Sequence, residues 1–254
     1  MKTARFVICS PCYNAEGFVQ DSIQSALDQV YDQFRICWLN DASTDKSEDV
    51  ARRLLEWGGD IARGKVYTNA RRRGAVRNYW WLAQQCDPDE VMVFLDADDQ
   101  LSHPGVLRRL AGVYLDERVW ATYGQFRYDA VSGGGMGMAA PIPAENHSRR
   151  AGWRSTHLKT CYAGLMQAVK ERDLKDPRTG DFWLTAGDLA FFYPVIEMAG
   201  AAHTRFIPEV LYTYNLQNPI NDCKVNGPGQ HEAAQYIDSL PLYPALDRLP
   251  WRPS

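Results

Sequence analysis

Three carboxylates follow the most apolar segment in the first half of the sequence. Asp96, Asp98 and Asp99, in the stretch DADD, come directly after the apolar run Val91 to Leu95. Carboxylates this close together repel one another, and a cation would neutralise them. Mg²⁺ and Mn²⁺ favour oxygen ligands and commonly bridge a protein carboxylate to substrate phosphates. Alternatively, the three carboxylates could be an acidic cap that interacts with the dipole of the helix that Pro104 begins. The accompanying polar residues decide between a cation site and a helix cap.

Three other polar segments carry residue types that bind flat rings and anions. They are Pro11 to Asn14, Asn40 to Asp45, and Asn69 to Arg73. Tyr13 could pack in the core or stack on a nucleobase. Asp41 could cap the following helix or accept a hydrogen bond from a base edge. Arg77 could pair with a surface acid or, if it faces the Asp96 to Asp99 cluster, contact a diphosphate.

The stretch Cys9-Ser10-Pro11-Cys12 has the C-x-x-C spacing of redox dithiols and of half a zinc site. A redox motif needs its first cysteine at a helix N-terminus, whereas Cys9 belongs to a buried strand. A zinc site needs further ligands, and the sequence has no second C-x-x-C. We therefore expect strand followed by Pro11-x-Tyr13-Asn14, in which the proline shapes a turn.

The elements that position these segments alternate in type. Four strands are predicted, at Arg5 to Cys9, Phe34 to Leu39, Lys65 to Thr68 and Val91 to Leu95, each followed by a helical pattern. This alternation predicts an α/β protein with an open, mainly parallel sheet flanked by helices. Such sheets bind ligands at the carboxyl ends of their strands, which is where all four polar segments fall.

The alternation stops after Arg127. Residues 153–199 are predicted as helical segments broken near Asp176 to Gly180, and Phe206-Ile207 and Val210 to Tyr214 as short strands. We expect one domain in two halves, 1–127 and 128–215, with 216–254 as a polar, proline-rich tail on the core.

Composition excludes several classes of protein. The 254 residues carry a formal net charge of −3, so a nucleic-acid partner is not indicated. The basic run Arg71-Arg72-Arg73, with Arg77 after it, is short enough to be typical of a solvated face. No apolar run reaches the length of a membrane span, and no signal peptide is recognisable. The six scattered cysteines are expected to be reduced and the protein cytoplasmic.

Taken together, the motifs resemble the successive signatures of family 2 glycosyltransferases with the GT-A fold, which is Rossmann-like. The matching segments of the first half, over residues 5–127, are SPCYNAEGFVQDSIQSALDQ, LNDASTDKS, RRRGAVRNYWWLAQQC and VFLDADDQL. WRSTHLKTCYAGLMQAV, TAGDLAFFYPVIEMAG and FIPEVLYTYNLQNPIND resemble acceptor-side segments of some members.

The resemblance implies a role for each motif. Pro11, Tyr13, Asn14 and Asp41 would hold the nucleobase, usually uracil, and Arg77 would approach the base or phosphates. Asp96-Ala97-Asp98 would be the DxD motif: Asp96 would contact the ribose or metal region, Ala97 would contact the nucleotide, and Asp98 would ligate Mn²⁺ or Mg²⁺.

Asp188, in AGDLAFF, falls where the family places its catalytic base. The chemistry agrees, since an inverting transfer needs a carboxylate to take the acceptor hydroxyl's proton and a cation to stabilise the departing diphosphate. Asp188 could equally cap the helix that begins there. The implied activity is an inverting hexosyltransferase of polysaccharide biosynthesis, which moves a sugar from a UDP-linked donor to a glycan or similar hydroxyl acceptor.

Four residues are weaker candidates for contacts with acceptor or diphosphate: Asp99, His157, His203 and Lys224. His203 could instead be a third metal ligand or a surface residue. Two other functions remain open. A nucleotidyltransferase would carry basic residues directly after strand one, and Ser10 to Gly17 has none. A non-catalytic nucleotide-sugar or glycan-binding protein would lack the base. The sequence does not indicate the sugar, the acceptor or the oligomeric state.

Overall fold

The first half of the sheet is parallel, as predicted. The computed structural model describes residues 3–57, 63–137, 139–142, 149–220 and 227–252. Its first four strands are β1 (Phe6–Cys12), β2 (Phe34–Asn40), β3 (Gly64–Thr68) and β4 (Val91–Phe94). They lie side by side in the order β3-β2-β1-β4, and all three pairings are parallel. β1 and β4 are buried throughout, which explains why both are continuous apolar runs.

β1 is longer than predicted. The expectation that it ends at Cys9 and that Pro11 forms a turn is wrong, because pairing with β2 continues to Cys12. The Cys9 carbonyl accepts a hydrogen bond from Leu95 N on the β4 side, so Pro11, two residues later, faces that side too. Pairing with β4 has ended by then, at Phe94. Proline is tolerated here because no neighbouring strand needs its missing N–H.

The second half of the sheet is mixed. It contains β5 (Gln100–Leu101), β6 (Ala121–Tyr128), β7 (Thr160–Tyr162) and β8 (Thr204–Tyr214). The full order is β3-β2-β1-β4-β7-β6-β8-β5. β7 is antiparallel to both β4 and β6, so the prediction of helix at Thr160–Tyr162 is wrong. The two short strands predicted at 206–214 are one strand, parallel to β6 with shifts in register.

Seven α-helices flank the sheet: α1 (Glu16–Leu27), α2 (Ser47–Leu55), α3 (Ala75–Ala83), α4 (Val106–Tyr114), α5 (Ala163–Gln167), α6 (Gly187–His203) and α7 (Gly227–Ser239) among the described residues. α1 contacts α2, while α3 contacts α5 and α6. None of these helices is long and apolar enough to span a membrane. The helices, together with the central sheet, confirm the predicted α/β fold class.

The last part of the chain packs on the core and includes α7, which the sequence pattern does not predict. Tyr243 and Leu249 are buried. The Trp251 ring lies directly over Gly164 of α5, so close that a Cβ there would overlap it. Both Trp251 and Arg252 donate hydrogen bonds to Asp89. These contacts fix the chain end against the loop before β4.

Candidate functional site

A cavity opens at the carboxyl ends of β1, β2 and β4. We call it the first cavity. Seven residues predicted from the sequence line it: Pro11, Tyr13, Asp41, Asp96, Ala97, Asp98 and Asp99. They meet there because parallel strands deliver their C-terminal residues to one edge of the sheet.

Asp41 is buried and holds the loop between β3 and α3. Its Oδ1 accepts hydrogen bonds from Asn69 Nδ2 and Arg73 N, and its Oδ2 accepts one from Gly74 N, each at 2.8 Å. Gly74 has φ of +85°, in the region that favours glycine, and directly precedes α3. A carboxylate oxygen can accept more than one hydrogen bond, so Asp41 still has acceptor capacity toward the cavity.

Two predicted residues do not face this cavity. Asn14 Oδ1 accepts a hydrogen bond from Thr44 N, and Asn14 N donates to Ser43 Oγ, so Asn14 ties the loop after β1 to the loop after β2. The expectation that Arg77 faces the carboxylate cluster is also wrong. Arg77 lies in the first turn of α3, where its guanidinium donates to Asn69 Oδ1 at 3.1 Å.

Arg72, and not Arg77, is the arginine that lines the first cavity. Its guanidinium carbon lies 4.0 Å from the centroid of the Tyr13 ring, a cation–π distance. Both residues line the cavity. The sequence placed Arg72 in a basic run but gave no signal that it, rather than its neighbours, reaches Tyr13.

Each of the three clustered carboxylates has a different partner. Asp96 Oδ1 accepts a hydrogen bond from the Tyr79 hydroxyl, and Asp98 Oδ2 accepts one from Asn218 Nδ2, both at 2.8 Å. Asp99 is buried and accepts hydrogen bonds from the Tyr212 hydroxyl and Asn215 N. Burial, reinforced by the adjacent Asp98 and Asp96 charges, raises the pKa of Asp99 well above its ordinary value.

Asp188 lies in a second cavity that adjoins the first. The two cavities share Ala75, Asp96 and Tyr214. Asp188 is the second residue of α6, and its side chain is 33% exposed. Lys159, whose side chain is only 1% exposed, places Nζ 3.4 Å from Asp188 Oδ2. This contact holds the Asp188 carboxylate against the buried Lys159 side chain. A role for Lys159 was not predicted from the sequence, although a lysine among buried neighbours was an available signal.

His157 is half-buried in the wall of the second cavity, and its ring stacks on Tyr212 with centroids 4.6 Å apart. Its Nδ1 has no hydrogen-bond partner among the described residues. Burial, with the Lys159 charge second, lowers the pKa of His157 well below its ordinary value, so the ring is neutral at pH 7. Depending on the tautomer, this nitrogen of a neutral imidazole can donate one hydrogen bond to a ligand or accept one from it.

His203 and Lys224 do not join this group. His203 directly precedes β8, stacks on Trp120 and bonds to the Arg118 carbonyl. The opposite end of β8, at Tyr214, is the end that lines both cavities. The possibility that His203 is a metal ligand is therefore wrong, because an eleven-residue strand separates it from the carboxylates. Lys224 lies outside the described residues.

The donors available to a divalent cation are few. Across the described ranges, no three His, Cys, Asp or Glu side chains are grouped so that they could hold a metal. Asp96 and Asp98 nevertheless line the same cavity. Mg²⁺ and similar ions are commonly held by one or two carboxylates, with substrate phosphates and water completing the shell. The residues present therefore fit such an ion together with a phosphate ligand.

The cysteines of the C-x-x-C are not a dithiol site. Cys9 and Cys12 are both free and buried. Burial raises the pKa of the Cys12 thiol to about 12, so it is protonated and unreactive at neutral pH.

Comparisons with known proteins agree with this geometry. The profile of glycosyl transferase family 2 matches residues 7–172. An uncharacterized glycosyltransferase of Haemophilus influenzae is 27% identical over 128 residues, which are 50% of this chain and 48% of the relative. The chain thus spans about half the length of this relative.

Two solved structures share the fold. S. aureus TarS 1–349 in complex with UDP-GlcNAc superposes with a TM-score of 0.64 and 14% identity, over 92% of this chain and 65% of that one. The mannosyltransferase PcManGT from Pyrobaculum calidifontis, in complex with GDP-Man and Mn²⁺, gives a TM-score of 0.58 and 18% identity, over 86% and 59%. The shared fold is the GT-A fold. Because the family profile covers more than half of the sequence, the chain belongs to glycosyl transferase family 2.

Proposed function

We propose that this protein is an inverting, metal-dependent glycosyltransferase that moves a sugar from a UDP-linked donor to a hydroxyl of a glycan or similar acceptor. One observation carries the proposal. The cavity with Tyr13, Asp41 and Asp98 shares the Asp96 wall with the cavity that contains Asp188. A donor in the first cavity and an acceptor in the second would therefore meet at Asp96.

The first cavity suits a nucleoside diphosphate. The Tyr13 ring offers a flat apolar surface to a base, and Arg72 packed on that ring brings a positive charge to the same wall. Asp41 has acceptor capacity for a base N–H. The nucleotide-sugar complexes of the two solved relatives support a donor of this class. A Mn²⁺ or Mg²⁺ ion held by Asp98 would supply positive charge to the leaving diphosphate.

Asp188 suits the role of general base. Its side chain is partly exposed and lines the second cavity, and the contact with the buried Lys159 side chain orients the carboxylate. In the proposed step Asp188 takes the proton of the acceptor hydroxyl, and the oxygen forms a bond to the anomeric carbon. The bond from that carbon to the diphosphate oxygen breaks on the opposite face, and the diphosphate leaves with the electron pair.

The test is UDP release from a panel of UDP-sugars with Mn²⁺, with and without oligosaccharide acceptors. Asp188→Asn keeps the side chain's shape but removes the base, so we expect turnover to fall by about 10²–10⁴ while UDP still binds. Asp21→Asn, at an exposed position of α1, is the matched control. If wild type binds UDP-sugars but releases UDP from none of them, the protein is a binding protein and the proposal fails.

A further inference from the structure

A third cavity lies beside the first, and five arginines line it, four of them on one wall. We call it the arginine cavity. Arg71, Arg72, Arg73 and Arg77 form one wall, and the segment from Glu171 to Thr185 forms another. Arg72 and Leu184 also line the first cavity, so the two cavities adjoin. The proposed sugar transfer leaves this arginine cavity without a role.

The positive charge of this cavity is only partly neutralised, because three carboxylates, Glu171, Asp176 and Asp181, line it together with six cationic side chains. Its other cations are paired: Lys175 with Glu171 at 2.6 Å, and Arg178 with Asp176 at 2.8 Å. In the part of the chain that the structure describes, by contrast, none of the four arginines forms an ion pair with a carboxylate.

The effect of these neighbouring positive charges is seen in the pKa of Arg77. Burial and then the neighbouring Arg73 charge lower the pKa of Arg77. Like charges gathered around a concave surface repel one another unless an anion joins them. Guanidinium groups also present paired N–H donors that match the oxygens of phosphate and carboxylate.

Two buried polar groups in the wall opposite the four arginines also lack partners. Trp183 is 3% exposed and Thr185 is 8% exposed. The Trp183 indole N–H and the Thr185 hydroxyl find no hydrogen-bond partner among the described residues. Buried donors are nearly always satisfied in folded proteins, so their orphaned state points to a ligand with acceptor oxygens. This observation is independent of the arginines.

The position of the cavity relates it to the acceptor. Thr185 is three residues before Asp188, so their Cα atoms are at most about 11 Å apart. This is on the order of one or two sugar units. A ligand that presents a hydroxyl to Asp188 could thus extend along the segment from 185 to 188 and place its next charged group in the arginine cavity.

We propose that the arginine cavity binds phosphate or carboxylate groups of an anionic acceptor glycan, one or two residues away from the hydroxyl that reacts. This rests on the proposed function for the identity of the acceptor, but the binding itself requires no catalysis. The acceptor class is therefore a glycan with phosphodiester links or uronic acids, rather than a neutral oligosaccharide.

The test measures binding of three probes of similar size to the full chain by calorimetry: an oligo(glycerol phosphate), tetragalacturonate and maltotetraose. We expect one of the anionic probes to bind and maltotetraose not to bind. The double variant Arg71→Ala with Arg73→Ala should lower the affinity for the anionic probe about tenfold or more. The matched control is Arg53→Ala with Arg108→Ala, which removes the same charge from exposed positions on α2 and α4.

Thr185→Val provides a second measurement that does not depend on charge. Because the hydroxyl has no partner, its loss should not lower the thermal unfolding midpoint, yet the anionic probe should bind about threefold more weakly or worse.

The proposal is overturned if neither anionic probe binds, if maltotetraose binds equally well, or if the control pair weakens binding as much as the cavity pair. It is also overturned if the cavity pair loses affinity for UDP to the same extent, because the arginines would then serve the donor. Anion binding without UDP release would refute the proposed function alone.

Discussion

Asp41 is the residue whose replacement separates a role in the fold from a role in binding. Its carboxylate accepts three hydrogen bonds at 2.8 Å, two of them from the backbone N–H groups of Arg73 and Gly74. Asp41→Ala removes all three. Asp41→Asn keeps Oδ1 for Asn69 and Arg73, but its NH₂ group replaces Oδ2 and opposes the Gly74 N–H.

The expected magnitudes follow from these contacts. A hydrogen bond to a charged group contributes about 1.5–3 kcal/mol, so Asp41→Asn should lower the free energy of unfolding by about 2 kcal/mol. Asp41→Ala should lower it by about 4 kcal/mol or more, a large share of the roughly 5–15 kcal/mol typical of proteins. With a urea slope of about 3 kcal/mol per M, the midpoints should fall by about 0.7 M and 1.3 M.

The assay is urea unfolding followed by circular dichroism, together with UDP binding for each variant. Asp21→Asn, which makes the same chemical change at an exposed position, should leave the midpoint within about 0.2 M of wild type. The reasoning is refuted if Asp41→Ala unfolds at the wild-type midpoint. If it does so and has also lost UDP binding, Asp41 acts as a ligand contact and does not stabilise the loop.

Three further predictions concern stability and reactivity. Because burial lowers the pKa of His157, the unfolded state takes up this proton at a higher pH than the folded state does. Stability should therefore decrease as the pH falls below about 6.5, and His157→Phe, unlike the exposed His231→Phe, should flatten this dependence in thermal unfolding. Glu197→Ala should lower the free energy of unfolding by about 3–5 kcal/mol in urea, because it leaves the Arg149 guanidinium buried without its carboxylate; a loss under 1 kcal/mol would contradict this. With its pKa raised to about 12, the Cys12 thiol should resist iodoacetamide at pH 8 until the protein is unfolded, as mass spectrometry of the alkylated peptide would report.

The first half of the fold could be predicted because its signals are local. β1, β2 and β4 are buried and read as apolar runs, and each ends in polar residues that mark the sheet edge. β7 could not be recognised, because a three-residue strand inside the run from Thr160 to Met166 is too short to show alternation. α7 was missed because its segment carries no strong apolar stripe.

The site was predicted in its location but not in its contacts. The spacing of Asp41, Asp98 and Asp188 in recognisable segments indicates which residues come together. It does not indicate that Asp41 bonds to residues about 30 positions later, or that Arg72 rather than Arg77 reaches Tyr13. Those outcomes depend on where α3 begins, and Gly74 sets that point through the hydrogen bond to Asp41.

The carboxylate cluster shows how this site can be stable before any ligand binds. The sequence suggested that three adjacent charges require a cation. In the structure, Asp99 accepts hydrogen bonds from the Tyr212 hydroxyl and Asn215 N, and burial raises its pKa, which weakens the repulsion within the cluster. Asp96 accepts a hydrogen bond from the Tyr79 hydroxyl and Asp98 accepts one from Asn218 Nδ2, so each of the three carboxyl groups has a partner within the protein. No three His, Cys, Asp or Glu side chains among the described residues could hold a metal by themselves, so donor phosphates would have to complete the ligand shell beside Asp98, and for that reason we expect cation binding to depend on the nucleotide.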